Sequence, residues 1–437
     1  MLSMRISTSK ILELVMADKS PVWHPFTQHR LADPEISIAR ANGAYLYTHE
    51  GRAILDAISS WWVNIHGHGH KDIANAIAEQ ALRLEQVIFA GFTHEPAELL
   101  ARELLKGAPG DPGHVFFSDS GSTAVEVAIK MAVGCWYNRG KPRHRIIALE
   151  HGYHGDMFGT MSVGQRGAFN TAYEPMLFDV ATLPFPIPGD EQKTLDALLK
   201  LLKAEPGAFA ALIVEPLVLA AGGMKMYPAS FLSDMAAICK KHDVFVIADE
   251  VLTGFGRTGT MFACEQAKIA PDLLCLSKGI TGGFLPMGAT LATDEIYDAF
   301  YSAERTKTFF HSSSYTGNAV ACAAANANLK IFDQEPVLER IGDIAVHHAV
   351  RLKKFEDHNL IADIRQTGTI AALELCASDS GYFSEIGKKL EKFYLENDIL
   401  LRPLGNVVYV LPPYCTTKDE LDRIYDVIEE SLDALKQ

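Results

Sequence analysis

The sequence predicts an α/β protein: a large domain built on a mostly parallel sheet covered by helices, plus a smaller α+β domain drawn from the two chain ends. Three observations predict it. Short apolar runs (HVFF, RIIAL, FAALIV, VFVIA, LLCL) read as strands buried on both faces. Helical patterns separate them at crossover spacing, as ASFLSDMAAICKKHD does before VFVIADE. From about residue 331 the texture shifts to charged amphipathic helices and alternating strands. The expected divisions are 1–65 as the N-terminal part of the small domain, 66–330 as the large domain, and 331–437 as the C-terminal part of the small domain.

Composition narrows the function classes. A chain of 437 residues has room for two or three domains and a large core. Hydrophobic content of 48% and charged content of 22% are those of a soluble globular protein. A net charge of −14 argues against nucleic acid or an anionic membrane as partner. No apolar run approaches the roughly 18 residues of a membrane span. The 7 cysteines are dispersed with no CxxC spacing, which points to a reducing compartment, by default the cytoplasm. The N-terminal MLSMRISTSKILELVMADKS lacks a signal-peptide core and reads as a short helix, with a transit peptide the alternative.

AYLYTHEGRAILDAIS carries a turn at Glu50-Gly51 between two strand-like runs. In SSWWVNIHGHGH, Trp61 and Trp62 are either core filler or the wall of a site. His66, His68 and His70 alternate there without an acid or Cys to complete a metal-ligand set, so no metal is expected. Residues 71–106 read as two amphipathic helices, the second with Pro96 at its start.

A strand from His114 to Phe117 then turns through Ser118–Ser122 into a helix ending near Gly140. Ser120, Gly121 and Ser122 form either an anion site at a helix N-terminus or a plain cap. The turn matches neither GxxxxGK[ST] nor GxGxxG, so it is not a nucleotide loop. After RIIALE, the loop HGYHGD offers Tyr153 and His154 among glycines. Tyr153 either stacks on a planar ring or packs the loop, and Asp156 either caps a turn or reaches a substrate amine. FAALIV leads to Glu215. Arg257, in a Gly/Thr loop, binds an anion or braces the loop. TGGFLPMGATLAT is glycine-rich enough for backbone to approach a ligand. HSSSYTGN supplies a second hydroxyl-rich turn, at Ser312, Ser313 and Ser314, before a helix starting near Asn318. Arg402, expected in an apolar strand before Pro403, either binds a carboxylate or snorkels at a rim.

The organising pair is Asp249 and Lys278. VFVIADE and DLLCLSKG are buried-strand patterns, and each delivers its first charged residues at its carboxyl end, where open α/β sheets place ligands. Alone, Asp249 reads as a turn cap and Lys278 as a solvated loop residue. Together they need partners, because buried charges are costly when unpaired. Pyridoxal 5′-phosphate supplies both. A lysine amine condenses with its aldehyde, and an aspartate holds a proton on the pyridine nitrogen. A carboxylate in contact shifts such a pKa by roughly 1–3 units toward the protonated ring.

ADEVLTGFGRTG, LSKGITGGFLPMGA, DSGSTAVEVAIK and HSSSYTGN together resemble the fold-type I, class III pyridoxal-phosphate aminotransferases, across nearly the whole chain. WHPFTQ, SSWWVNIHGHGH, GYHGDMFGTMSVG and LLRPLGNVVYVLPPY are similar to the branch that aminates 8-amino-7-oxononanoate in biotin synthesis. The resemblance implies that Lys278 holds the aldehyde and shuttles the proton, and that Asp249 pairs with the ring nitrogen. It implies phosphate binding by Ser120, Gly121 and Ser122, and ring stacking by Tyr153. Ser313 and Ser314 are implied on the cofactor side, with Ser314 reaching the phosphate in a neighbouring subunit, hence a homodimer with shared sites. Trp61, Phe26, Ser312 and Arg402 are implied on the substrate side, Arg402 holding the carboxylate of the keto-acid acceptor. Phe26 stands where S-adenosylmethionine-using members have tyrosine, and Ser312–Ser314 where some members read Gly-Pro-Thr. The implied small-molecule amino donor is therefore S-adenosylmethionine or lysine. Two alternatives share the core motifs: an aminotransferase for ω-amino acids such as 4-aminobutyrate or ornithine, and a catalytically idle cofactor-binding protein.

Overall fold

The computed structural model describes residues 20–377 and 381–435, and the helix expected before residue 20 lies outside them. Three strands, β1 (Ile38–Asn42), β2 (Tyr45–Thr48) and β3 (Ala53–Asp56), form an antiparallel meander. The expected turn at Glu50-Gly51 joins β2 to β3. Gly51 sits there at φ 87°, a conformation a side chain resists.

The large sheet begins with β4 (His114–Ser118), β5 (Arg145–Leu149), β6 (Val180–Leu183) and β7 (Phe209–Val214). A small ribbon of β8 (Val218–Leu219) and β9 (Lys225–Met226) follows. Then come β10 (Phe245–Asp249), β11 (Leu273–Leu276) and β12 (Gly288–Ala292), giving the order β4-β12-β11-β10-β7-β5-β6. β11, β10, β7, β5 and β6 run parallel. β12 is antiparallel to both its neighbours, because residues 277–287 return the chain without a crossover helix.

Every residue of β7, β10, β11 and β12 is buried. Alternation along β10 explains the unbroken apolar run. Phe245 and Ile247 pack in one core with Ala124, Ala128 and Trp136 of helix α1 (Gly121–Asn138). Val246 and Ala248 join the other core, with Leu232 and Met235 of helix α2 (Ala229–Lys241). Helix α3 (Ala319–Gln334) is capped by the Asn318 side chain, where the sequence places its start.

In the C-terminal region β13 (Ile361–Thr367), β14 (Ile370–Leu375) and β16 (Val407–Val410) form an antiparallel sheet. Between them in sequence, β15 (Ile399–Leu400) pairs parallel with β3, setting Ile399 opposite Leu55 and Leu400 opposite Asp56. One sheet thus holds segments from both chain ends.

Two elements depart from the expected bounds. The helix read over KDIANAIAEQALRLEQ stops at Ala81, where the buried Gln80 side chain donates to Leu84 O just past the helix end. Arg402 lies outside a strand: β15 ends at Leu400, and Pro403 biases the residue before it away from regular pairing and offers no N–H. Among the described residues no helix is long and apolar enough to cross a membrane.

Candidate active site

β10 and β11 are parallel neighbours, with Asp249 opposite Cys275. Lys278 follows two residues beyond β11, so both charged groups emerge at the carboxyl edge of the sheet. Lys278 opens a short 3-10 turn at φ 44°. Such a conformation costs a long side chain about 1–3 kcal/mol and persists where the surroundings over-determine it. The surroundings are visible. Ser277 Oγ donates to Met287 O at 2.6 Å, and the buried Asn328 Nδ2 donates to Gly279 O and Ile280 O at 3.0 and 3.1 Å.

The Lys278 amine stands 4.6 Å from the centroid of the Trp62 ring and, among the described residues, has no hydrogen-bond or ion-pair partner. Burial pushes its pKa down to about 8, against the opposing pull of Asp249 and Glu215, with Arg257 adding to the depression. Trp62 is itself fixed, its Nε1 donating to the Tyr409 hydroxyl at 2.9 Å.

Asp249 is buried. Its Oδ2 lies 2.7 Å from His154 Nδ1, and its Oδ1 accepts from Val251 N at 3.1 Å. Burial alone lowers the His154 pKa, but the hydrogen bond and charge of Asp249, with the charge of Glu215, leave it raised. Glu215 follows β7 directly, ahead of Pro216. Its carboxylate accepts from Tyr153 N at 2.9 Å and Ala220 N at 3.2 Å. Burial lifts its pKa to about 7, with His154 opposing and Asp249 reinforcing. His154 in the loop after β5, Glu215 just after β7 and Asp249 at the end of β10 are thus electrostatically coupled. The same Glu215 bond anchors Tyr153, whose hydroxyl pKa is raised by burial and by the Asp156 carboxylate.

The N-terminus of α1 meets this edge. The Ser120 hydroxyl accepts from Thr123 N at 3.2 Å and Thr123 Oγ1 accepts from Ser120 N at 2.8 Å, so Ser120 is a helix cap. The first-turn N–H groups of Gly121 and Ser122 have no intrahelical acceptor and are available to an anion. A Cβ at Gly121 would lie 2.7 Å from Val251 Cγ1 and 3.5 Å from Ser277 Cβ, so this turn presses on residues flanking Asp249 and Lys278. The Asp156 N–H donates to Ser122 Oγ at 3.4 Å, drawing the Tyr153 loop to the same point. Gly121→Ala is expected to weaken cofactor binding by tenfold or more, because the stiff Val251 side chain cannot yield without moving the cradle. Fluorescence titration of cofactor-free protein with pyridoxal phosphate measures it.

Three of the substrate-side candidates come together. The Trp61 and Phe26 rings lie 5.8 Å apart, and the Arg402 guanidinium lies 4.8 Å from the Trp61 centroid, with its Nε 3.9 Å from Glu391 Oε1. Ser312 is not among them. It is exposed in the 308–318 loop beside Ser314, also exposed, while Ser313 Oγ donates to Asp119 Oδ1 at 2.8 Å. The loop histidines do not share one site: His68 binds Asp56 at 2.8 Å, while the His66 and His70 rings lie 5.9 Å apart, His70 facing Glu335 at 3.4 Å and burial driving the His66 pKa down to about 3. Arg257 braces, donating to Pro412 O and Trp62 O at 2.9 and 3.4 Å. The sequence singles out His154, Glu215 and Trp62 only by position, as a loop histidine, a strand-terminal acid and one of two paired tryptophans, and assigns none of them a role.

Pyridoxal 5′-phosphate needs an amine for its aldehyde, a carboxylate for its ring nitrogen, N–H groups for its phosphate and a wall for its ring. The unpartnered Lys278 amine, Asp249, the α1 N-terminus with its Gly121-only contact, and Tyr153 fit each requirement. Such a set suits a cofactor-dependent group-transfer enzyme. Residues 27–432 match the family described as aminotransferase class-III. The adenosylmethionine-8-amino-7-oxononanoate aminotransferase of Synechococcus elongatus is 48% identical over 95% of this chain and 99% of its own length. The enzyme of that name from Helicobacter pylori is 38% identical over 97% and 98%. The crystal structure of the Methanocaldococcus jannaschii enzyme of the same name superposes with a TM-score of 0.91 at 36% identity, covering 98% of this chain and 99% of that one. A pyridoxal-phosphate-bound amine transaminase from an uncultivated Pseudomonas species gives 0.89 at 30%, over 95% and 99%. The chain belongs to the class-III aminotransferases, a fold-type I family that works with pyridoxal phosphate.

Proposed function

We propose that the chain transfers the amino group of S-adenosylmethionine to 8-amino-7-oxononanoate, forming 7,8-diaminononanoate for biotin synthesis. End-to-end kinship with relatives so named carries the reading, and the meeting of Phe26, Trp61 and Arg402 suits an acceptor with an apolar chain and a terminal carboxylate.

When bound, the cofactor supplies a carbonyl that takes up the amine and an electron-poor ring that accepts the substrate's bonding pair. The chain's own residues do the rest. Lys278, depressed toward neutrality, moves the proton at the substrate carbon. Asp249, backed by His154, keeps a negative charge against the ring nitrogen. Tyr153 covers a ring face. Gly121 and Ser122 hold the phosphate with Ser120 fixing the turn, and Ser313 and Ser314 are assigned to the phosphate side, Ser314 across a homodimer interface. Phe26, Trp61 and Ser312 are assigned to the substrate, with Arg402 exchanging Glu391 for its carboxylate. We place the enzyme in the cytoplasm.

The test incubates holoenzyme with 8-amino-7-oxononanoate and a panel of donors, following 7,8-diaminononanoate by mass spectrometry. Product with S-adenosylmethionine supports the reading. Amination of 4-aminobutyrate- or ornithine-derived carbonyls with none of this acceptor overturns it. A cofactor absorbance band that no amine bleaches would make the protein catalytically idle. Arg402→Ala is expected to raise KM for the keto acid by about ten- to a hundredfold while leaving the donor half-reaction unchanged, as steady-state kinetics with each substrate varied would show.

A further inference from the structure

A string of half-exposed rings runs on from the Trp61 wall, beyond anything the acceptor needs. Phe26 and Phe169 are 6.2 Å apart, Phe169 and Tyr382 4.7 Å in an edge-on pair, and Phe169 and Phe383 5.7 Å and nearly parallel. Phe26, Trp61, Phe169 and Phe383 are 49%, 45%, 53% and 66% exposed, a continuous apolar surface assembled from four separate segments. Phe26 is held at φ 52°, an outlier for a bulky residue.

The rings are held from behind. The loop carrying Phe169 is stitched by Asn170, whose Oδ1 accepts from Gly167 N at 2.9 Å and whose Nδ2 donates to Gln165 O at 3.0 Å. Gln165 in turn is bolted to the Tyr153 loop: its Oε1 accepts from His151 N and its N–H donates to Gly152 O, both at 2.7 Å. On the other side, the buried Asn406 accepts from Gly381 N at 3.0 Å and donates to Leu375 O at 2.9 Å. A Cβ at Gly405 would lie 1.7 Å from Gly381 O, so glycine there lets the Tyr382–Phe383 turn lie directly on the loop that carries Arg402. Exposed rings fixed by buried hydrogen bonds on both flanks are arranged for a ligand.

We infer that Phe169, Tyr382 and Phe383 form the subsite for the nucleoside end of a sulfonium-bearing amino donor. The inference rests on the proposed function and assigns the donor that reading requires. An acceptor whose carbonyl meets Lys278 and whose carboxylate meets Arg402 spans the Trp61–Phe26 stretch and leaves the outer rings unused. A donor must put its amine at the same place, and a purine needs a flat apolar surface, which aromatic faces supply for any base. Ring faces also attract a cation. Lysine would need none of this surface.

The test uses holoenzyme with wild-type sequence and with Phe169→Ala, Phe383→Ala and the conservative Phe169→Tyr. Rapid-mixing half-reactions give the apparent donor constant for S-adenosylmethionine, and the second half-reaction gives that for 8-amino-7-oxononanoate. Calorimetry with 5′-methylthioadenosine, which has the nucleoside but no transferable amine, gives a readout independent of turnover. Both alanine variants are expected to weaken S-adenosylmethionine and methylthioadenosine by about ten- to a hundredfold and leave the acceptor constant within twofold, while Phe169→Tyr keeps wild-type affinity for both. The subsite is refuted if methylthioadenosine does not bind wild type, if neither variant weakens it, or if the acceptor constant rises in step. Efficient amination of 8-amino-7-oxononanoate from lysine but not from S-adenosylmethionine also refutes it while leaving the acceptor assignment standing. Failure with every donor would instead refute the proposed function.

Discussion

Lys278→Met will extinguish transamination and at the same time stabilise the cofactor-free protein at neutral pH. The first effect follows from chemistry: methionine neither condenses with an aldehyde nor carries a proton, and the proton transfer alone is worth about 10²–10⁴-fold. The second follows from where the amine sits. Burial pushes its pKa from 10.5 down to about 8, so the fold penalises the protonated form. Above pH 10.5 the amine is neutral in both states and the penalty vanishes. It grows as pH falls toward 8 and is complete below that, with an upper bound of about 3 kcal/mol. Methionine retains most of the bulk, so the gain is not spent on a cavity. Denaturant unfolding of both cofactor-free proteins at pH 7 and pH 10.5 measures it. The advantage of the variant should shrink at the higher pH. A wild type as stable as the variant at pH 7 would show that the amine is not penalised there.

Asp249→Asn should cost about ten- to a thousandfold in turnover through lost protonation of the ring nitrogen alone, because a contacting carboxylate shifts such a group by roughly 1–3 units. It also carries a spectroscopic signature. In the wild type, the hydrogen bond and charge of Asp249 outweigh burial and raise the His154 pKa. A raised histidine pKa stabilises the fold fully below the ordinary value near 6.5, and that contribution is lost as pH rises through the folded value. With asparagine, burial dominates and the His154 pKa falls below the ordinary value. A pH titration of the histidine ring signals by NMR distinguishes the two proteins. Retention of wild-type turnover would remove Asp249 from the chemistry.

Much of the site was legible because it is local. VFVIADE and DLLCLSKG announce two buried strands by composition, and parallel pairing puts Asp249 and Lys278 at one edge with no further information. DSGSTAVEVAIK announces a capped helix in the same way. What escaped depends on contacts distant in sequence. Nothing near His154 says that it will meet a carboxylate 95 residues away, and nothing in the adjacent tryptophans says that Trp62 is buried under the lysine while Trp61 faces outward. Arg402 reads as strand because Ile399–Leu401 before it is apolar. The chain leaves the sheet at Leu400 because β15 crosses to β3 for only two residues. The outer rings at Phe169, Tyr382 and Phe383 lie in loops whose local patterns carry no period, so only tertiary structure lines them up.

The two-residue graft of β15 onto β3 has a consequence for how the protein is made. During synthesis, the β3 edge leaves the ribosome with its pairing groups bare and must wait for residue 399 before they are covered. An unpaired strand edge recruits other chains, so the period between those two events is when newborn copies are most exposed to each other. Chains stopped short of residue 399 would keep that edge permanently open and collect as aggregates.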